Sequence, residues 1–192
     1  PFNLEYISTT YILDMIKNRV KIVNNPSAIR NISEKLYSIK YQKYMPPTIF
    51  SQNLEEIRFF FKKNIRIILK PIYGFGGNDI LLIKKFNLKL IKKYIKKHKY
   101  IMCQKFLPEI NKGDKRVFII NGKVHGAISR IPKIGSFLSN MSKGAIPILT
   151  DLTKKELEIS NIIAKDLKQK NIYFAGIDFI NQKLNGDINV TS

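Results

Sequence analysis

The sequence has 192 residues, one ordinary domain or two small ones, and its 44% apolar and 25% charged residues are in proportion for burying a core. The apolar runs are strand-sized, so no membrane span is expected; a single cysteine, Cys103, excludes a disulfide framework, and the separated His98 and His125 argue against a histidine metal site. The net charge of +20 would suit a polyanion, but 28 lysines stand against 6 arginines, and Lys, Ile (33) and Asn (17) all have A/T-rich codons that compositional drift would raise together, so the charge does not decide function.

From Leu4 to Asn18 apolar residues recur at helical intervals (Leu4, Ile7, Tyr11, Met15), and Lys17 and Arg19 suit a last turn. A short strand is expected over Lys21 to Val23, then a turn at Asn24-Asn25-Pro26. A helix from about Ile32 to Tyr41 follows, with Asn31 or Ser33 as its N-cap. Met45-Pro46-Pro47 breaks the chain before a strand at Thr48 to Phe50. Asn53-Leu54-Glu55-Glu56 has capping-box spacing and opens a helix from about Leu54 to Lys63. Strand alternating with helix points to mixed α and β structure.

Arg66 to Lys70 and Ile80 to Lys84 are β-branched runs flanking a glycine-rich loop, Pro71 to Asn78, and read as two strands. Leu88 to His98 is a helix with Leu88, Ile91, Ile95, Leu90 and Tyr94 apolar and lysines opposite. A membrane-surface or nucleic-acid helix has this pattern, but so does a helix packed on a sheet with its cations in water, and the latter is expected. Tyr100 to Leu107 is the next strand, ended by Pro108. Asn121-Gly122, between Arg116 to Ile120 and Lys123 to Arg130, is the preferred pair for a type I′ hairpin turn. Ile131 to Ile148 reads as a long loop. Thr153-Lys154-Lys155-Glu156 is a second capping box, opening a helix to about Lys170. Tyr173 to Ile180 and Asp187 to Val190 form a final hairpin, expected to turn at Asn185-Gly186.

Three groups of residues could carry chemistry. Lys70, at a strand end before Gly74, Gly76 and Gly77, suits phosphate oxygens, because glycines let backbone N–H groups approach closely; a plain glycine turn is the bland reading. Asp178, Asp187 and Asn189 offer two carboxylates and an amide oxygen, the hard donors that Mg²⁺ prefers, and Asp178 lies inside an otherwise apolar strand, where an unpaired charge is costly. Arg116 and Arg130 can converge at one end of the Asn-Gly ribbon as an anion clamp, or sit on the surface. Cys103 has no base beside it in sequence and reads as a small buried residue.

Taken in order, these segments resemble an ATP-grasp ligase, and more narrowly the bacterial glutathione synthetase family. The resemblance covers essentially the whole chain. It is carried by Asn24-Asn25-Pro26, Glu34-Lys35-Leu36, Ile68-Leu69-Lys70-Pro71, Gly74-Phe75-Gly76-Gly77 and Gln104 to Pro108, and then by Gly113-Asp114-Lys115-Arg116-Val117, Arg130-Ile131-Pro132, Gly176-Ile177-Asp178 and Ile188-Asn189-Val190-Thr191-Ser192.

It implies an α+β, ATP-grasp fold in which two lobes of mixed or antiparallel sheet with packed helices grip ATP. Residues 1–30 would end an N-terminal substrate domain and linker, 31–104 would form the small lobe with its glycine-rich loop 71–78, and 105–192 the large lobe with the metal site. The family extends beyond both ends, and Pro1 stands where a start would have Met, so a fragment is expected. The resemblance implies that Lys35 and Lys70 contact the ATP phosphates and adenine region, and that Gly74, Gly76 and Gly77 close over the phosphates. Gln104, Lys105, Phe106 and Leu107 would hold adenine, with Asp114 near the ribose. Asp178, Asp187 and Asn189 would hold Mg²⁺, with Mn²⁺ as a substitute, and Arg116 and Arg130 would stabilise the transferring phosphoryl group. The implied reaction joins γ-glutamylcysteine and glycine at the expense of ATP through an acyl phosphate. The implied enzyme is a cytoplasmic homo-oligomer acting on small molecules, with neither nucleic acid nor membrane as partner. Another ATP-grasp carboxylate–amine ligase is the alternative, and a basic binding module or inactive remnant lies further off. Asp187 stands where the family usually has Glu and Leu138 where Arg is common, and the loop after Arg130 is shorter than usual.

Overall fold

A computed structural model describes residues 3–191; Pro1, Phe2 and Ser192, the last residue of the terminal motif, lie outside the described residues. In chain order the elements are α1 (Leu4–Ile16), α2 (Pro26–Asn31), a 3-10 helix (Tyr37–Tyr44), β1 (Thr48–Ser51), α3 (Leu54–Asn64), β2 (Ile67–Pro71), β3 (Leu81–Ile83), α4 (Leu88–His98) and β4 (Ile101–Lys105). After a 3-10 turn (Pro108–Lys112) come β5 (Asp114–Ile120), β6 (Lys123–Ile131), β7 (Ile146–Thr150), α5 (Lys154–Gln169), β8 (Phe174–Ile180) and β9 (Lys183–Asn189).

The helices start where short polar side chains offer an acceptor to the free N–H groups of a first turn. Asn53 accepts from Glu55 and Glu56 at the head of α3, Asn87 from Leu90 at α4, and Thr153 and Glu156 close a reciprocal capping box on α5. Of the apolar stripe expected on α4, Ile91 and Tyr94 are buried, whereas Leu88 and Leu90 in its first turn stay exposed; the lysines turn outward.

Two antiparallel sheets result. The smaller orders its strands β1-β4-β2-β3, and the larger β7-β6-β5-β8-β9. Ile57, Phe60, Ile67, Leu69, Ile91 and Ile101 pack α3 and α4 onto the smaller sheet. Val117, Ile119, Ile163, Leu167, Ile177 and Phe179 pack α5 onto the larger. Ile32, Tyr41 and Met45, which precede the smaller sheet in sequence, join this second core.

The Asn121-Gly122 turn forms as expected, with φ of 49° and 75° in the left-handed region that a type I′ turn needs. Four local expectations are corrected. Lys21 to Val23 is not a strand. Pro26 does not end a turn but occupies the first turn of α2, capped by Asn25, which displaces the helix expected over Ile32 to Tyr41; a 3-10 helix over Tyr37–Tyr44 replaces it. The supposed loop from Ile131 to Ile148 contains a short 3-10 turn (Met141–Lys143) and the start of edge strand β7. The last hairpin turns at Asn181-Gln182 (φ 46° and 60°), closed by the pairing of Ile180 with Lys183.

Asn185-Gly186 instead lies within β9, where the register to β8 shifts between Ile177 and Phe179. Gly186 has φ +84°, and a Cβ there would lie 2.7 Å from Met45 Cε and nearer still to Met102 Cε. The left-handed backbone favours glycine here, since a side chain would be strained and would also have to displace the two methionine tips, and the irregularity re-aims the following residue, Asp187.

Candidate active site

A cleft of about 400 Å³ opens between the two sheets, roofed by the glycine-rich loop. Every expected site residue lines it: Lys35, Lys70, Gly74, Gly76, Gly77, Gln104, Lys105, Phe106, Leu107, Asp114, Arg116, Arg130, Asp178, Asp187 and Asn189.

The charged floor follows from strand register. Asp114 and Arg116, two apart on β5, share a face; Arg130 on β6 sits opposite Asp114, and Asp178 on β8 opposite Arg116. The result is a patch of alternating charge. Arg116 binds Asp178 through both carboxylate oxygens, at 2.6 and 2.7 Å, and Arg130 binds Asp114 likewise at 2.8 and 2.5 Å. Arg130 also reaches Asp178 at 3.0 Å, so the two arginines converge on one carboxylate. Burial by itself would raise the Asp178 pKa, but Arg116 and then Arg130 outweigh it and hold the group below the usual carboxylate range. In this structure Asp114 is the partner of Arg130.

Lys35 and Lys70 are 5% and 4% exposed, unusually deep for lysine, and both face Asp187. Lys35 also donates to the Gly74 carbonyl at 2.6 Å, linking the chain before the smaller sheet to the loop above the cleft. The loop is met from the other side. Lys143 donates to Asn78 at 2.8 Å, and a Cβ on Gly77 (φ +73°) would strike the Asn140 side chain. At the cleft's far edge Gln104 is buried and donates to Thr48 Oγ1 at 3.0 Å, while Lys105 and Phe106 donate backbone N–H groups to Pro47 and Arg66.

Asp178, Asp187 and Asn189 come together, close enough for the Asp187 charge to act on Asp178. Asn189 donates its amide nitrogen to the Gly176 carbonyl at 3.2 Å, which ties down the nitrogen end of the group. Among the described residues no three His, Cys, Asp or Glu side chains gather as a metal cluster. The Asp187 carboxylate and the Asn189 amide oxygen are the hard donors that suit Mg²⁺ or Mn²⁺ in a shell completed by phosphate oxygens, while both Asp178 oxygens are engaged by Arg116 and Arg130. Cys103 is buried and its thiol is pushed up to about 12, so it is no nucleophile.

Sequence reasoning missed Asn185, Asn140 and Lys143. Asn185 is legible as half of an Asn-Gly pair, a local signal for a turn, whereas its carbonyl and side chain both accept from Lys70. Asn140 and Lys143 carry no local signal.

Two sheets gripping a cationic cleft beneath a glycine-rich loop define the fold of ATP-grasp ligases. The D-cycloserine synthetase DcsG superposes with a TM-score of 0.71 over 97% of this chain and 70% of its own at 11% identity. The ATP-grasp ligase PsnB, solved with a precursor peptide and AMPPNP, gives 0.69 over 96% and 59% at 16% identity. The model for the prokaryotic glutathione synthetase ATP-grasp domain matches residues 34–192, and that for the same family's N-terminal domain matches residues 1–30. This chain belongs to the prokaryotic glutathione synthetase family. It is 35% identical to the glutathione synthetase of Bradyrhizobium diazoefficiens over 196 residues and 37% identical to that of Shewanella oneidensis over 198. In both cases all of this chain aligns, and it spans 62% of the relative's length. Among the described residues no helix is long and apolar enough to cross a membrane.

Proposed function

We propose that this chain is the ATP-gripping part of a glutathione synthetase, joining the cysteinyl carboxylate of γ-glutamylcysteine to the amine of glycine. The observation that carries the reading is the convergence of Lys35, Lys70, Arg116 and Arg130 on one cleft that also presents Asp178 and Asp187. Phosphoryl transfer needs positioning and charge neutralisation rather than a protein nucleophile, and the cleft offers cations without one. The named relatives support the choice of substrates.

Lys35 and Lys70 hold the phosphate chain from the floor, and Gly74, Gly76 and Gly77 cover it. Gln104, Lys105, Phe106 and Leu107 form the wall against which adenine lies. Asp178, Asp187 and Asn189 would hold Mg²⁺ or Mn²⁺, which would supply neutralisation of phosphate charge. Arg116 and Arg130 face the γ-phosphoryl group as it passes to the cysteinyl carboxylate, and Asp114 keeps the Arg130 fork in place. The amine of glycine attacks the resulting acyl phosphate; its C–O bond to phosphate breaks, a peptide bond forms, and phosphate leaves after ADP is made. The dependence on ATP and small metabolites suits the cytoplasm, and the homo-oligomer expected of the full-length protein belongs to the same reading.

The test has two arms. Thermal shift of this chain with Mg²⁺–ATP should give saturable stabilisation, about 2.7 kcal/mol at a hundredfold excess over Kd, that falls in Lys70→Ala. ADP release by the full-length protein should require γ-glutamylcysteine and glycine together. No stabilisation of the folded chain overturns the nucleotide site, and ADP release driven by a different carboxylate–amine pair overturns the substrate assignment.

A further inference from the structure

Asp187 lies between two buried ammonium groups, one at each carboxylate oxygen. Lys70 points its donors at the Asn185 carbonyl (2.8 Å), the Asn185 amide oxygen (3.1 Å) and Asp187 Oδ2 (3.3 Å). Lys35 faces Asp187 Oδ1 at 3.4 Å. One negative charge therefore serves two cations.

Binding of a divalent cation at Asp187 alone would strip both lysines of their counter-charge and place a third cation beside them. Buried ammonium groups without a partner are strongly unfavourable, so that exchange is opposed. A phosphate chain changes the balance, because its oxygens take over the ammonium groups and release the carboxylate. Resting on the reading of the cleft as a nucleotide site, we propose that Lys35 and Lys70 are a gate for the metal. They hold Asp187 until polyphosphate engages them, so that metal alone is refused while metal and nucleotide reinforce each other's binding. Linkage makes this reinforcement reciprocal.

The gate predicts opposite changes in two affinities on removing a lysine. Lys70→Met weakens polyphosphate binding but frees Asp187, so it tightens binding of metal alone. A residue that only shaped the cleft would weaken both. The probe is Mn²⁺, read as free ion by electron paramagnetic resonance, with the 192-residue chain in the presence and absence of inorganic tripolyphosphate. Lys70→Met, and independently Lys35→Met, should bind Mn²⁺ alone about tenfold more tightly than wild type, the factor that one pK unit of ammonium–carboxylate interaction represents. Adding Asp187→Asn to either variant should abolish the gain. In wild type, tripolyphosphate should strengthen Mn²⁺ binding to the protein beyond what the solution complex accounts for.

Unchanged or weaker Mn²⁺ binding in folded lysine variants overturns the gate, and so does wild-type protein that holds Mn²⁺ equally well without tripolyphosphate. Failure of wild type to bind either tripolyphosphate or ATP overturns the nucleotide reading and the gate with it. ATP binding with unaltered Mn²⁺ affinities in the variants overturns the gate alone.

Discussion

Asn24→Ala removes a buried amide that closes four backbone hydrogen bonds. Its oxygen accepts from the N–H groups of Tyr173 and Phe174, both at 2.7 Å, and its nitrogen donates to the carbonyls of Phe174 at 2.7 Å and Val190 at 3.0 Å. Asn24 thereby ties the segment before α2 to the start of β8 and the end of β9. It is 5% exposed, so water does not readily replace it. Each orphaned buried N–H costs about 1–3 kcal/mol and the carbonyls less, which puts the substitution at about 3–5 kcal/mol. Against a typical stability of about 5–15 kcal/mol that is a large fraction. Urea denaturation should show a lower midpoint at unchanged slope. A loss below about 1 kcal/mol would refute the argument that those groups depend on this amide.

Asn24→Asp sharpens the test. The aspartate keeps an acceptor for the two N–H groups but sets its other oxygen against two carbonyls, so it must stay protonated to donate. Its pKa therefore rises on folding. The variant's stability relative to wild type should be highest below about pH 3.9 and should be lost as pH rises through the folded value. A gap to wild type that does not widen between pH 4 and 8 would sink this account.

Gly186→Ala should cost about 1–2 kcal/mol for its left-handed backbone and further for driving a methyl into Met45 and Met102, while Gly135→Ala, at φ +82° with nothing within 4 Å, should show the backbone cost alone. Equal losses in urea denaturation would remove the packing argument for the bulge. Asp166 accepts from the hydroxyls of Tyr37 and Tyr41 and from Lys40, and although burial pushes its carboxyl up, these donors bring it below its usual value. Its stabilisation is therefore present above the unfolded pKa of about 3.9 and is lost as pH falls. The stability gap between wild type and Asp166→Asn should shrink from pH 5 to pH 3; a constant gap would count against the assignment.

Much of this architecture was legible from local signals. Asn53 and the Thr153–Glu156 box mark helix starts because the groups they satisfy are two or three residues away, and Asn121-Gly122 marks a turn because the required backbone is intrinsic to that pair. The order of Lys70, the glycine loop, Arg116, Arg130 and Asp178 pointed to the cleft, and the Asn-Gly ribbon brought Arg116 and Arg130 to one end. The sequence also carried the family, through short blocks distributed along its length.

Tertiary structure decided the rest, where two local solutions competed or where partners were distant. Asn185-Gly186 can make a turn as readily as Asn121-Gly122. It makes a bulge because Asn181-Gln182 closes the hairpin first, which leaves Asn185-Gly186 inside the strand where the register shifts. Pro26 could have ended a turn, but Asn25 caps a helix over it while Asn24 binds β8 and β9 about 150 residues away. Likewise nothing local pairs Lys35 with Asp187, or Asp114 with Arg130. Those pairings arise because a charge buried in the cleft must be offset by opposite charges there, and the fold brings Lys35 and Lys70 to Asp187, and Asp114 and Asp178 to Arg130.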